Sequence, residues 1–155
     1  MEARPQRSSA SDAGASAVEF ALVVPLLLMV LLGVIQYGFG LYQLQSFTSV
    51  VNDASKIAGT GLTSCIDFRN AVNAMADDNG IDSSSITSVN VSWLSQDPVS
   101  HAYSTASQAT RLGLARVTAT FTPFHLAAPL VPFPSQVTRT QTAPVSDLGT
   151  FTGAC

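Results

Sequence analysis

The chain has 155 residues, of which 46% are hydrophobic and only 11% are charged, and its formal net charge is −3. Soluble domains usually carry about 25% charged residues, so this composition excludes an ordinary soluble domain along the whole chain. The basic residues are few and scattered, which also excludes a basic footprint for nucleic acid.

The charge deficit is concentrated near the N-terminus. Glu19 is the only charged residue between positions 13 and 52, and residues 20–40 are almost wholly apolar. About 20 apolar residues cross a bilayer as a helix, so residues 20–40 are predicted to form one transmembrane span. Since no later apolar run approaches that length, the sequence predicts a single-pass protein in a lipid bilayer.

The basic residues around the span predict its orientation. Arg4 and Arg7 precede it, whereas the next basic residue is Lys56. The bias of basic residues toward the cytoplasmic side therefore places the N-terminus in the cytoplasm and the C-terminal region outside.

The helical pattern continues beyond the span. Apolar residues recur there at three- and four-residue spacings, at Leu41, Leu44, Phe47, Val51, Ala54 and Ala58, and polar residues such as Gln43 occupy the other faces. A helix from Ser16 to Ala58 would be about 64 Å long, and Gly59 and Gly61 supply a stop. The apolar run is longer than the roughly 7–15 residues of a secretory signal, which argues against such a signal.

Two features inside the span have open interpretations. Pro25 removes one helical hydrogen bond and usually kinks a helix, which would aid packing in a bundle. Transmembrane helices also tolerate proline without a special role. Gly33, Gly38 and Gly40 offer a weak signal for close helix–helix packing.

The sequence around the span is similar to a known family. The motif comprises Gly14-Ala15-Ser16-Ala17-Val18-Glu19-Phe20, the apolar run through Pro25, and Gly33-Val34-Ile35-Gln36-Tyr37-Gly38. Over about residues 14–59 it resembles the TadE-like pilus-assembly proteins of tight-adherence (Flp-type) systems, which are membrane-anchored minor pilins or pseudopilins. The chain departs from the commonest pattern at Gln36, where many relatives carry an acidic residue.

The resemblance implies processing and assembly. A prepilin peptidase would cleave the leader, residues 1–14, between Gly14 and Ala15, and would recognise Glu19 and Phe20. The implied partners are that peptidase, other pilin and pseudopilin subunits, and the assembly platform in the membrane. The implied location is the cell membrane, with the pilus or cell surface as a second location. In a packed bundle, Glu19 could neutralise the new ammonium of Ala15 in a neighbouring subunit.

Glu19 also has a simpler interpretation. Ser16 and Glu19 have the spacing of a capping box, in which the acid satisfies a free amide at the start of a helix. An acid there also complements the helix dipole. Residues 8–14, upstream, are small and polar, and they are predicted to be unfolded and accessible to a peptidase.

Residues 59–155 are predicted to form an exported α+β domain. Residues 65–79 are predicted to be a short helix with apolar positions at Ile66, Ala71, Val72, Met75 and Ala76. Alternating patterns predict strands over 87–93 and 115–122, with a polar loop over 95–108 between them. Residues 136–142 are a third, more polar candidate strand. An antiparallel sheet of about three strands would pack on the amphipathic part of the long helix.

Two further features of this region are singled out. Residues 123–134 contain four prolines among apolar side chains, so the segment would rest on the membrane, contact a partner subunit, or fold back over the core. Cys65 and Cys155 are predicted to form a disulfide outside the cell. It would close a loop of about 90 residues and stabilise the fold by up to about 4–5 kcal/mol in the chain-entropy model. The alternative is two free thiols.

The sequence carries no recognisable catalytic motif. The two histidines, His101 and His125, are not spaced with other ligands for a metal, and no phosphate-binding loop or nucleophile motif occurs. We therefore expect no catalytic residues, no metal and no cofactor. A structural pilin is the predicted function, and an uncleaved, signal-anchored surface-binding module is the alternative.

Overall fold

The computed structural model describes residues 10–60, 64–110, 112–124 and 132–146. Within these residues the elements are α1 (Ala10–Gly59), α2 (Cys65–Asp78), β1 (Ile86–Gln96), β2 (Tyr103–Ala106), β3 (Leu114–Phe121) and β4 (Val137–Pro144). The strands form one antiparallel sheet in the order β2-β1-β3-β4. The predicted α+β class is confirmed, with a fourth strand added.

Helix α1 has two halves with different surroundings. Its first half is bare, and apolar side chains such as Leu22 and Leu26 are exposed there. Its second half buries one stripe against the sheet, formed by Phe47, Val50, Val51, Ala54 and Ala58. The predicted stripe is confirmed from Phe47 onward. It is wrong at Leu41, which is 40% exposed because the buried stripe begins only at Gln43.

The N-terminal end of α1 differs from the prediction. The helix already includes residues 10–14, which were predicted to be unfolded. Ser16 and Glu19 consequently lie inside the helix rather than at its first turn, so the capping-box interpretation of Glu19 is wrong for this form of the chain. The amides of residues within a continuous helix are already paired with carbonyls one turn earlier.

Helix α2 is bounded by local signals. The Ser64 hydroxyl accepts a hydrogen bond from the Asp67 amide at 3.2 Å. At the other end, Asn79 is the C-cap and Gly80 has a positive φ of 72°, a conformation that glycine adopts without strain. The helix and its predicted terminator are confirmed.

The buried side of α2 was predicted only in part. Phe68, Val72 and Ala76 form its buried stripe, with the four-residue spacing of one helical face. Ile66 was predicted to be apolar core and is 71% exposed. It lies on the opposite side of the first turn from Phe68, which occupies the core instead.

The sheet packs one face on α1 and α2. Its core side chains alternate along the central strands, at Val89, Val91, Trp93, Ala115, Val117, Ala119 and Phe121. The Phe121 ring stacks on Phe47 of α1 with centroids 4.9 Å apart. Trp93 is also buried, at 4% exposed. This contact between β3 and the second half of α1 makes the long helix part of the domain core.

Strand β2 lies within residues 95–108, which were predicted to be a loop. The β1–β2 turn is formed by Asp97, whose carboxylate accepts hydrogen bonds from the amides of Val99 and Ser100, both at 2.8 Å. This turn returns the chain along β1, pairing Trp93 with Ala106. The prediction is therefore wrong for residues 103–106.

The outer face of the sheet is lined by hydroxyl side chains. Thr118 of β3 and Thr140 of β4 are hydrogen-bonded at 3.1 Å, and Thr120 and Thr138 at 3.0 Å. Cross-strand threonine pairs of this kind stabilise antiparallel sheets. This face is hydroxyl-rich, whereas the opposite face is apolar except along β4, where Arg139 and Gln141 lie.

Candidate functional site

The predicted processing residues all lie on the exposed start of α1. Gly14, Ala15 and Glu19 are helical and exposed, and Phe20 is 71% exposed. Ala15 and Glu19 are four residues apart, so they lie on the same face of the helix, one turn from each other. The structure therefore places the motif on an exposed helical surface, away from the sheet domain among the described residues.

The apolar segment that follows has the properties of a membrane span. By length and composition α1 is able to cross a membrane once, and its most apolar window is not buried inside the protein. Pro25 lies within α1, and the helix continues through it. The side chains of this segment are available to lipid or to neighbouring helices.

A cluster of contacts joins the end of this segment to residues that flank the sheet. The Gln43 side-chain oxygen accepts a hydrogen bond from the backbone amide of Phe124 at 3.2 Å. The rings of Phe39 and Phe124 meet edge to face with centroids 6.3 Å apart. On the other side, the Phe133 ring lies on Gly40, where an added Cβ would come within 2.6 Å of the ring. We call these five residues the junction cluster.

The junction cluster bears on the open question about residues 123–134 at the two ends of that segment. Both described ends of the segment pack on α1, so the interpretation of a segment folded back on the protein is supported there. Residues 125–131, including His125, lie outside the described residues. Gly33 and Gly38 have no neighbour within 4 Å of an added Cβ, so a close helix–helix contact at those glycines is not seen among the residues that the structure describes.

An open groove separates α1 from the edge strand β4. It has a volume of about 710 Å³ and is lined by apolar Leu41 and Leu44 and by polar side chains that include Arg139 and Gln141. These two β4 residues pair with Ala119 and Val117 of β3, so they lie on the core-facing side of the sheet. Their polar side chains line the open groove instead of joining the buried core.

The remaining predicted residues have different outcomes. Cys65 begins α2, and no free cysteine occurs among the described residues, whereas Cys155 lies outside them. The disulfide between them remains a prediction. His101 lies in the β1–β2 turn with a positive φ of 56°. In the part of the chain that the structure describes, no group of three or more His, Cys, Asp or Glu side chains could hold a metal ion.

The junction cluster was missed by sequence reasoning. Gln43 was placed on a polar face, yet it is only 9% exposed. The glycine at the end of the apolar run, Gly40, was a signal for the junction cluster. It was interpreted instead as part of a surface that packs against another helix. The partner turned out to be an aromatic ring of the same chain.

Comparison with known proteins supports the resemblance. Residues 14–56 match the family model described as TadE-like protein. The match covers the exposed half of α1 and most of its buried half. No curated protein and no solved structure matches the chain.

Proposed function

We propose that this chain, which is TadE-like over residues 14–56, is a membrane-anchored minor pilin or pseudopilin in the assembly of a tight-adherence pilus. Its N-terminus lies in the cytoplasm and its sheet domain lies outside. Its role is structural, without catalysis of its own. Its partners are a prepilin peptidase, other pilin subunits and the assembly platform.

The observation that carries the proposal is the division of α1. One continuous helix is bare and apolar over its first half and forms the domain core over its second half. A bare apolar surface in water is unfavourable by about 25 cal/mol per Å², so the first half requires lipid or other helices around it. A subunit that moves between a bilayer and a helical bundle has this requirement.

Glu19 fits this role as an assembly residue. It is exposed near the start of the bare half, where neighbouring helices would pack. Cleavage after Gly14 would create an ammonium on Ala15, and an opposite charge in an apolar bundle offsets the cost of burying either group alone. The carboxylate of one subunit would therefore fix the axial position of the next.

The helical state of residues 10–14 adds a requirement for cleavage. A peptidase needs an extended bond, so the helix must open at Gly14 before the bond to Ala15 is cut. Glycine lowers helix stability by about 1 kcal/mol relative to alanine, which favours this opening. The alternative of an uncleaved surface module is favoured by the same observation, since the helix runs intact through the predicted bond.

Mass spectrometry of the membrane-extracted protein distinguishes these functions. We expect the mature chain to begin at Ala15 in cells that contain the peptidase. Replacing Gly14 with leucine should leave the leader attached, because the bulky side chain stabilises the helix and blocks close approach to the backbone.

Gly33→Leu is the matched control. It makes the same substitution in the bare half of α1, where an added Cβ has no neighbour within 4 Å, and processing should be unchanged. An unmodified chain that retains its leader through Gly14 in those cells would contradict the prepilin proposal and support the uncleaved module.

A further inference from the structure

Two aromatic side chains of the junction cluster remain exposed although they touch each other. Phe39 is 49% exposed and Phe124 is 65% exposed, and their rings meet edge to face. Tyr42, one turn further along α1, is 53% exposed. We call Phe39, Tyr42 and Phe124 the aromatic collar. In water such a group of rings gains little from its mutual contact relative to the apolar area that it leaves exposed.

Contacts with α1 hold Phe124 at one position along the helix. The Gln43 side chain binds its backbone amide at 3.2 Å, and this glutamine is itself almost fully buried. Phe133, at the other end of the same segment, rests on Gly40. The two described ends of the segment therefore both contact α1 at residues 39–43, and the hydrogen bond to Gln43 fixes the position of Phe124 along the helix axis.

The length of the bare half of α1 places Phe39 and Phe124 at the membrane boundary. Phe39 lies 19 residues after Phe20. At 1.5 Å per residue this is about 29 Å, and the hydrocarbon core of a bilayer is about 30 Å thick. If the span begins at Phe20, the Phe39 ring lies where the hydrocarbon gives way to headgroups, and Phe124 lies beside it.

We propose that the exported domain contacts the outer leaflet of the bilayer directly, through the aromatic collar. The occupant is lipid because the collar continues the apolar surface of the span, to which Phe39 and Phe124 add apolar area, and because tyrosine, here Tyr42, favours the interface between hydrocarbon and water. The proposal rests on the span in the proposed function but goes beyond it, since an anchor alone would leave the domain free to stand away from the membrane.

Charge near the collar selects the lipid for the test. Asp82 lines the same cleft of about 200 Å³ as Gln43 and Phe124. A carboxylate so close to the surface would be repelled by anionic headgroups. Contact through the collar is therefore apolar in origin, and vesicles of zwitterionic phosphatidylcholine are the suitable probe.

Fluorescence quenching of the full chain in such vesicles tests the proposal. Each variant carries one added tryptophan in addition to the native Trp93, which is buried. The fluorescence that Trp93 contributes is measured on the unmodified protein. In F124W we expect the emission maximum of the added tryptophan to lie at a shorter wavelength than that of a tryptophan exposed to water. Lipids brominated near the headgroup should quench it more strongly than lipids brominated near the chain ends.

Two controls make the outcome decisive. V99W places the tryptophan in the β1–β2 turn, at a site that is 88% exposed and distant from the collar, and it should be unquenched. L28W places it within the bare half, and deep bromines should quench it. Quenching of L28W without quenching of F124W would overturn the collar contact and leave the span intact.

The other outcomes are equally informative. An unquenched L28W would contradict the span itself, and the collar proposal with it. A blue shift of F124W without quenching would show that another protein surface, such as a second copy, covers the ring, which also overturns the lipid contact.

Discussion

At the scale of single residues, Gly59 shows how closely the long helix approaches the sheet. A Cβ at this position would collide with the backbone carbonyl of Pro144 in β4. The Gly59 carbonyl also accepts hydrogen bonds from the amide and the hydroxyl of Ser146, at 2.9 and 3.2 Å. The end of α1 and the end of β4 are thus held together through a glycine that lacks a side chain.

Gly59→Ala is expected to destabilise the domain by about 1–3 kcal/mol, because the backbone of β4 must shift to admit the methyl group. Urea unfolding of detergent-solubilised protein, followed by the fluorescence of Trp93, measures this loss. Gly38→Ala is the matched control, since nothing lies within 4 Å of an added Cβ there. An unchanged unfolding midpoint for Gly59→Ala would contradict the contact.

Asp97 gives the β1–β2 turn a dependence on pH. Hydrogen bonds from the backbone amides of Ser100 and then of Val99 lower the pKa of its carboxyl below the ordinary value. Because the pKa is lower in the folded state, the contribution to stability is present above the unfolded pKa. It is lost as the pH falls through the folded pKa.

We therefore expect the amide resonances of Val99 and Ser100 to titrate together in acid, with an apparent pKa below that of an unperturbed aspartate. Nuclear magnetic resonance of the full chain in detergent micelles checks this. In Asp97→Asn both titrations should disappear. Amide shifts that persist in that variant would assign the transition to another group.

At the scale of elements, α1 combines two energetic roles, and substitutions in its two halves should separate them. Phe47 is fully buried and stacks on Phe121, so Phe47→Ala should cost about 3–5 kcal/mol of unfolding free energy. Phe20→Ala, on the bare half of the same helix, should leave that free energy unchanged. Urea unfolding in detergent measures both, and equal losses would contradict the division of the helix.

The sequence predicted the strands wherever local alternation was strong. β1, β3 and β4 each fall within a few residues of the prediction. Apolar and polar side chains alternate along β1 and β3, whereas β4 is polar over residues 138–142 and was predicted only as a third, more polar strand. β2 has four residues and no residue in the buried class, so it lacked that signal. It becomes a strand because the Asp97 turn brings it beside β1, where backbone pairing forms it without buried side chains.

The residues of the candidate site were likewise predictable only where they form a local pattern in the sequence. Glu19, Phe20 and the residues before them form a continuous motif, and a pattern of adjacent residues can be recognised in one chain. The junction cluster joins Gln43 to Phe124 across a separation of 81 positions. Neither residue stands in a periodic pattern that predicts the other, so only the folded chain reveals their contact.

At the scale of the whole molecule, the predicted disulfide would connect α2 to the C-terminus. Cys65 is the first residue of α2, and the chain contains two cysteines in total. We expect the unreduced protein to migrate faster in denaturing gel electrophoresis than the reduced protein, because a loop of about 90 residues stays closed.

Cys65→Ser provides the control for this comparison. The variant should migrate at the reduced position with or without a reductant and should have a lower unfolding midpoint. Alkylation of both cysteines in the unreduced, denatured protein would contradict the bridge. A band of twice the mass that disappears on reduction would assign it to two chains instead of one.

The continuity of α1 also has a mechanical consequence. Its 50 residues form one uninterrupted helix of about 75 Å, and the helix that is able to cross a bilayer is also the one on which the sheet is built. Tension applied to the sheet domain would therefore pass directly into the apolar half of α1, because no flexible linker separates the two.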